Sequence, residues 1–269
     1  MGIKKQKIEI QKKERLGEIN VSNEGYDMKI IEYNGVRDIT IEFQDEYKTI
    51  IKNREYKEFI KGKIKNPYHK SVFGIGYIGQ GKYKVSVNGK HTEAYVCWKN
   101  MLRRCYDPYH INYKQPSYKD CIVCKEWHCF QIFAEWYYKN YYECNNEKIH
   151  LDKDILIKGN KIYSPETCIL VPERINLLFI KSNSIRGKYP IGVHWDKEVN
   201  KFKSKCSILD KNGNQKSKFL GYYDTSEEAF FSYKEFKEDY IKQVAEEYKS
   251  LIPKELYDAL YRYEIEMDD

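Results

Sequence analysis

Long apolar segments are missing from this sequence, whose mean hydropathy is −0.78. A membrane-spanning helix needs about 20 apolar residues, so this class of protein is excluded and no membrane partner is expected. The first residues are charged and lack the apolar stretch of a secretory signal peptide. Cysteine is scarce as well: eight among 269 residues are too few for a disulfide scaffold and indicate reduced thiols or metal ligands. We therefore expect a cytoplasmic protein.

The sequence does contain enough apolar side chains for folded domains, because hydrophobic residues make up 41% and aromatic residues 15%. This composition excludes a mainly disordered chain. At about 150 residues per domain, the length suggests two domains or three small ones. Tyrosine is abundant, with 26 copies against 4 Trp and 11 Phe. Two explanations stay open, namely tyrosines that stack on nucleic-acid bases and the codon bias of an AT-rich genome.

Charge is distributed unevenly along the chain, although the net charge is only +7. Residues 61–104 carry ten Lys or Arg and one Glu, and residues 187–222 carry eight Lys and three acids. Residues 223–269 reverse the balance, with fourteen acids and six Lys or Arg. Two separate basic tracts and an acidic end are typical of a protein that binds a polyanion with part of its surface. A nucleic acid is therefore the expected partner.

The N-terminal part predicts a basic arm over residues 1–14 and a small β-unit over residues 15–66. Three runs of the β-unit are rich in strand-forming residues: 28–33, 38–43 and 48–53. Asn34-Gly35 lies between the first two runs and is a common two-residue hairpin sequence. Residues 67–94 predict a basic, glycine-rich β linker. Their Gly-x-Gly sequence does not predict a phosphate-binding loop, because no strand–helix frame follows it.

Helical periodicity begins near Ala94. Apolar side chains then recur at the i, i+3, i+4 and i+7 spacing of a helix with one buried stripe. The members of this stripe are Trp98, Met101, Leu102 and Cys105. Arg103 and Arg104 lie off the stripe and are candidate DNA contacts. A second helix is predicted from Trp127 to about Tyr141.

Residues 149–179 predict a strand, a loop, a second strand and a helix from about Pro172, with a His-x-Asp-x-Asp cluster at the first strand. This is the order of elements in ββα-metal nucleases, in which two short strands and a helix hold one divalent cation. Such a site needs carboxylate or imidazole ligands and a base that deprotonates the attacking water.

Ordered matching positions run from the first predicted helix through this segment: Trp98, Met101, Arg104-Cys105-Tyr106, Val123-Cys124, Trp127, Phe130, Phe133, Leu151-Asp152-Lys153, Asp154, Gly159-Asn160, Tyr163, Pro165 and Thr167-Cys168. With them, residues 95–176 resemble the phage HNH-type endonucleases. The resemblance implies an HNH-like module over residues 95–185. It also implies that Asp152 and Asp154 hold Mg²⁺ or Mn²⁺, that His150 activates water and that Asn160 orders the loop.

Two positions depart from the family's pattern. Lys153 stands where an active site has its histidine base, and a lysine of ordinary pKa, near 10.4, stays protonated. Thr167 stands where the family often has asparagine. Three possibilities stay open: a nuclease that uses His150, which shares a strand face with Asp152; a degenerate nuclease kept for its fold; and carboxylates that only cap turns and pair with lysines.

Cys121 and Cys124 have the spacing of a zinc-ligand pair. A second pair is missing, so a zinc site would need Cys168 or His128 as a further ligand. Buried, reduced thiols are the simpler expectation.

A second set of matches lies near the C-terminal end: Gly192-Val193-His194-Trp195, Phe202, Leu220-Gly221-Tyr222-Tyr223-Asp224-Thr225, and Glu227-Glu228-Ala229 through Tyr233. With them, residues 189–241 resemble the plant ethylene-response-factor (Apetala-type) DNA-binding domain. The resemblance implies a three-stranded sheet that reads DNA and a helix packed behind it. Lysines stand where the plant domains use arginines, which favours phosphate contacts over bidentate reading of guanine.

The residue pattern of this region predicts the same arrangement independently. Phe202, Ser204, Cys206 and Ile208 alternate with lysines, which predicts one packed and one basic sheet face. Asn212-Gly213 predicts the next turn, and Thr225 or Ser226 is expected to cap a helix. That helix packs through Ala229, Phe230, Tyr233 and Phe236. The candidate DNA contacts on the basic face are His194, Trp195, Lys201, Lys203, Lys205, Lys216 and Lys218.

Together these observations predict a multidomain α+β protein. It has a small N-terminal β-unit, a central ββα-metal-like module, an Apetala-type domain over residues 186–245 and an acidic helical tail over residues 246–269. We expect a phage or mobile-element protein in the cytoplasm of a host bacterial cell, with double-stranded DNA as its partner. It is either a homing-type, metal-dependent DNA endonuclease or a non-catalytic binder. The binder would be a transcriptional regulator, or a phage protein that blocks a host defence complex through a host or phage protein partner.

Overall fold

A computed structural model describes residues 2–180, 189–209 and 214–267 of the chain. Helices and small, mostly antiparallel sheets follow one another, which confirms the α+β class. The residues form two compact units, Met1–Lys119 with Lys125–Glu135 and Asp120–Cys124 with Trp136–Asp269. Within the described residues, no helix is both long and apolar enough to cross a bilayer.

The first unit begins with a helix and a four-stranded antiparallel sheet. These elements are α1 (Gly2–Arg15), β1 (Ile19–Val21), β2 (Asp27–Gly35), β3 (Asp38–Phe43), β4 (Ile50–Arg54) and the short helix α2 (Tyr56–Ile60). The strands pair in the order β1-β2-β3-β4. The segment predicted as an arm is thus helical, and Arg15 at its end donates a hydrogen bond to the Tyr33 hydroxyl (2.6 Å).

The three predicted strands of this sheet are confirmed, but the predicted hairpin turn is displaced by two residues. Gly35 pairs with Asp38, so the loop consists of Val36 and Arg37. Gly35 has φ +142° and follows a shift in register after Tyr33. Gly35 therefore belongs to a β-bulge at the end of β2 and is still paired with β3. Asn34-Gly35 does not form the turn.

The rest of the first unit consists of an irregular segment with two short strands, followed by helices. It contains β5 (Ser86–Val87), β6 (Lys90–His91), α3 (Glu93–Tyr106) and the start of α4 (Phe130–Asn140). The Thr92 hydroxyl caps α3 by accepting a hydrogen bond from the Tyr95 N–H (3.4 Å). The predicted stripe of α3 is buried, and the Trp98 indole N–H donates to the Trp127 carbonyl (2.7 Å).

The second unit contains two structural parts that resemblance had assigned to separate modules. The first comprises β7 (Ile122–Val123), β8 (Ile149–Asp152), β9 (Ile162–Tyr163), β10 (Ile169–Pro172) and α5 (Glu173–Leu178). Strands β8 and β10 pair antiparallel, and β7 and β9 pair parallel. The predicted order of strand, loop, strand and helix is confirmed, and we call residues 149–178 the ββα segment.

The second part is a three-stranded antiparallel sheet followed by two helices. Its elements are β11 (Val193–Asp196), β12 (Lys201–Leu209), β13 (Gln215–Tyr223), α6 (Ser226–Tyr248) and α7 (Lys254–Tyr261). Thr225 caps α6 as predicted, within a capping box that includes Glu228. The predicted Asn212-Gly213 turn lies outside the described residues.

Both parts of the second unit share one hydrophobic core. Val171 and Ile175 of the ββα segment lie in the same buried cluster as Cys206 of the sheet and Ile241 of α6. Polar contacts join them as well, because Glu147 accepts hydrogen bonds from the Tyr248 hydroxyl and the Arg174 backbone N–H. The hydrophobic core beneath the sheet therefore extends beyond residues 189–241, the range of the Apetala-type resemblance, into the ββα segment.

Candidate functional site

The ββα segment places the predicted catalytic residues at the end of β8, where Asp152 closes a tight turn. Its Oδ1 accepts hydrogen bonds from the backbone N–H groups of Asp154 and Ile155, both at 2.7 Å. Burial raises the pKa of Asp152, and these two hydrogen bonds act in the opposite direction. The carboxylate of Asp152 thus caps the backbone of the turn.

Lys153 is a buried charged residue of this turn, with a relative exposure of 6%. Its ammonium donates to both carboxylate oxygens of Asp154, at 2.7 and 2.8 Å, and to the Asn160 carbonyl at 2.7 Å. Asp154 is about half exposed at 51%. A cation carried by the chain itself therefore neutralises Asp154 and joins both sides of the loop.

Asn160 closes the same loop from its far end. Its Nδ2 donates to the carbonyls of Lys153 (2.8 Å) and Ile162 (2.7 Å), and its Oδ1 accepts from the Ile162 N–H (3.0 Å). The preceding Gly159 has φ +73°, in the left-handed region that favours glycine. The loop between β8 and β9 is thus held by the side chains of Asp152, Lys153 and Asn160.

His150 lies on β8 and has a neighbour that the sequence analysis missed. Its Nε2 is 3.7 Å from Oε1 of Glu173, the first residue of α5. The antiparallel pairing of β8 with β10, which leads directly into α5, brings the two side chains together. An acidic residue in the first turn of the predicted helix was the only signal for this contact.

The donor set at this turn does not fit a divalent cation as it is arranged. The Lys153 ammonium holds both oxygens of Asp154, and Asp152 Oδ1 faces two backbone N–H groups. Among residues 2–180, 189–209 and 214–267, no group of three or more His, Cys, Asp and Glu side chains is placed to hold a metal ion.

Cys121 and Cys124, the predicted zinc pair, flank strand β7. Cys121 is buried, and Cys124 is half-buried with its backbone N–H bonded to the Tyr163 carbonyl (2.9 Å). Burial raises the pKa of the Cys121 thiol, although the Lys153 charge lowers it in part. The environment of Cys121 therefore favours the neutral thiol over the thiolate that binds zinc.

The sheet register divides the predicted DNA-contacting residues between two faces. Cross-strand partners in an antiparallel pair point to the same side. Lys218 pairs with the buried Cys206, and Lys216 pairs with Ile208, so both lysines lie on the side of α6. Trp195 pairs with Phe202, and their rings are 4.8 Å apart. The expectation of one common face was wrong for Trp195, Lys216 and Lys218.

The opposite side of the sheet, which we call the outer face, carries the remaining predicted residues and some that the sequence analysis did not select. Its members are His194, Asp196, Lys201, Lys203, Lys205, Phe219 and Tyr222. Lys203 lies at the centre, with its Nζ 5.6 Å from the Phe219 ring centre and 5.7 Å from that of Tyr222. Phe219 is 49% exposed and Tyr222 38%. The outer face thus combines ammonium groups with accessible aromatic rings.

One acidic side chain lies within the outer face. Asp196 accepts a hydrogen bond from the Tyr222 hydroxyl (3.1 Å) and lies 3.9 Å from the Lys203 ammonium. Burial tends to raise the pKa of Asp196, but the hydrogen bonds from Val199 N–H and Tyr222 outweigh it, so the pKa is lowered. The Asp196 carboxylate is therefore ionised at neutral pH.

His194 and the two arginines complete the predicted set. Burial lowers the pKa of His194, and the charges of Lys205 and Lys203 lower it further, so its imidazole is neutral at pH 7. Arg103 and Arg104 belong to the first unit, at the end of α3. Arg103 is exposed, and the Arg104 guanidinium lies 5.4 Å from the Tyr118 ring centre.

Comparisons of the chain with family models, with curated proteins and with solved structures find no match.

Proposed function

We propose that this protein binds double-stranded DNA through the outer face of its second unit, as a non-catalytic binder, and that the ββα segment supports that surface. The observation that carries the proposal is the alignment of Lys201, Lys203 and Lys205 on one face of a sheet beside exposed Phe219 and Tyr222. Beyond the residues paired with β11, strands β12 and β13 continue as a two-stranded antiparallel ribbon, and a ribbon of this kind can enter a major groove.

The ion pairs already present on this face leave its lysines available to phosphates. Lys201 lies 3.0 Å from Asp224, whose side chain is 80% exposed, and Lys203 lies 3.9 Å from Asp196. Exposed pairs of this kind contribute about 0–1 kcal/mol each, whereas phosphate contacts gain free energy by releasing counterions from DNA. Exchange of a weak intramolecular partner for a phosphate is therefore favourable at low salt.

The supporting role of the ββα segment is inferred from its internal hydrogen bonds. The polar side chains at its turn bond to one another and to the loop backbone, namely those of Asp152, Lys153, Asp154 and Asn160. The segment shares its core with α6, against which the sheet packs. A protein with this role would work in the cytoplasm of a host bacterial cell, as a regulator or a blocker of a host complex.

Fluorescence anisotropy of a labelled duplex, titrated at several salt concentrations, tests the DNA surface. The double variant Lys203→Ala/Lys205→Ala should weaken binding and flatten the slope of log K against log salt by about 1.8, since each lost phosphate contact removes about 0.9. The matched control is Lys216→Ala/Lys218→Ala, which removes the same charge from the other side of the same sheet. Equal effects of the two variants would contradict the proposal.

Plasmid nicking tests the assignment of the protein as a non-catalytic binder. We expect no nicking of supercoiled DNA by the wild-type protein with Mg²⁺ or Mn²⁺ under conditions in which it binds DNA. Metal-dependent nicking that disappears in Asp152→Asn would overturn the non-catalytic assignment and restore the nuclease alternative. DNA binding would then stand unchanged, because the two assays measure separate properties.

A further inference from the structure

A cavity of about 540 Å³ lies within the second unit, bordered by the end of α5, strand β12, helix α6 and the segment after α7. Its walls are mainly apolar and aromatic and include Ile180, Ile191, Ile208, Tyr233, Tyr240 and Tyr263. Binding sites for small molecules are typically clefts of about 300–1,000 Å³ with predominantly apolar linings. The cavity therefore has the size and lining of a small-molecule site.

Lys237 is the unusual member of the lining. It lies on α6 and is only 7% exposed. Within the part of the chain that the structure describes, its ammonium has no hydrogen bond or ion pair, and the nearby Tyr240 ring centre is 6.0 Å from its Nζ. Burial lowers the pKa of Lys237, and the adjacent Cys206 thiol opposes this only in part. A buried cation without an anionic partner is energetically unfavourable.

The described lining of the cavity gives Lys237 no carboxylate partner. None of the described residues that line the cavity is Asp or Glu. The other basic groups of the lining are His194 and the exposed Lys205. One buried ammonium is thus surrounded by apolar walls and by two groups that cannot neutralise it.

We propose that this cavity binds a small organic monoanion, a carboxylate on an apolar body, and that the anionic group pairs with Lys237. A single negative charge matches the single buried cation, and the apolar body fills the space between the aliphatic and aromatic side chains. Lys205 is exposed, so its attraction for the ligand is screened by water. His194 and Lys205 border both the cavity and the outer face, but Lys237 belongs to the cavity alone, so its pairing with an anion can be tested in the absence of DNA.

Isothermal titration calorimetry with the full-length protein tests this site with two probes of one shape, 2-naphthoate and the neutral 2-naphthamide. The wild-type protein should bind the carboxylate at least about tenfold more tightly than the amide, since a charge-assisted hydrogen bond is roughly twice as strong as a neutral one. Lys237→Met keeps the length and apolar character of the side chain and should abolish this preference. Lys242→Met is the matched control, because Lys242 lies on the same helix outside the cavity lining.

A second measurement needs no variant and therefore does not depend on the folding of Lys237→Met. Limited acetylation followed by peptide mass spectrometry should show that 2-naphthoate protects Lys237 and leaves Lys242 reactive. Three results would overturn the proposal: no binding of either probe, equal affinities of the two probes for the wild type, or unchanged acetylation of Lys237 in the presence of the carboxylate.

Discussion

Lys153 donates hydrogen bonds to both carboxylate oxygens of the adjacent Asp154, and the same ammonium binds the Asn160 carbonyl across the loop. A protein cation thereby occupies the position beside an aspartate that the resemblance to HNH-type nucleases assigns to a metal. Lys153, at the position where an HNH-type site would have its histidine, is therefore one of the three residues that hold the loop, with Asp152 and Asn160.

Replacement of Lys153 by methionine should destabilise the protein, because the Asn160 carbonyl and Asp154 lose a buried donor. We expect a decrease in the free energy of unfolding on the order of 2 kcal/mol, measured by urea denaturation. Lys148→Met, at an exposed position just before β8, is the control and should change stability by less than about 0.5 kcal/mol. A Lys153→Met protein as stable as the wild type would show that the ammonium contributes nothing to the loop.

DNA affinity should increase as the pH falls below the usual histidine pKa of about 6.5. In the free protein the pKa of His194 is lowered by burial and by Lys205 and Lys203. A phosphate beside the imidazole would raise that pKa, so binding takes up a proton and the affinity rises by up to about tenfold per pH unit. Anisotropy titrations between pH 7.5 and 5.5 measure this dependence.

His194→Gln should remove the pH dependence, whereas His150→Gln, which changes the other described histidine on a strand of the second unit, should preserve it. A pH dependence that survives in His194→Gln would move the titrating group away from the outer face.

Asp196 should oppose DNA binding, because its ionised carboxylate lies on the outer face beside Lys203. Asp196→Asn retains an oxygen that can accept the Tyr222 hydrogen bond and removes the negative charge. We expect affinity to rise about three- to tenfold at low salt, since charges about 4 Å apart interact by about 1 kcal/mol in water. Glu235→Gln on the exposed side of α6 is the control with the same charge change, and an equal gain there would indicate only a net-charge effect.

Loss of the α6 cap should destabilise the second unit. The Thr225 hydroxyl accepts a hydrogen bond from the Glu228 N–H (3.2 Å), and α6 contributes Ala229, Phe230 and Ile241 to the shared core. Thr225→Ala should lower the free energy of unfolding by about 1 kcal/mol in urea titrations. Ser226→Ala, one residue into the helix, should have little effect, and equal losses would place the cap elsewhere.

Local elements were predicted well from the sequence wherever one periodicity dominates. The stripe of Trp98 and Leu102, the alternation around Cys206 and the Thr225 cap all appear in the structure as expected. The Asn34-Gly35 turn was predicted wrongly because glycine favours both hairpin loops and bulges. The pairing between the two strands decides whether this glycine lies in the hairpin loop or in a bulge. A local sequence motif does not specify that pairing.

Apart from α1 and β1, the sequence by itself determined most of the longer strands and helices. It also determined where positive charge accumulates, because both depend on residues near one another in the chain. Only the tertiary structure decided which lysines share a face. Lys216 and Lys218 alternate with Ser217 as regularly as Lys203 and Lys205 do with Ser204, yet pairing with Ile208 and Cys206 turns them towards α6. Likewise, the burial of Lys237 depends on residues distant in sequence, such as Cys206 and the other residues that line the cavity.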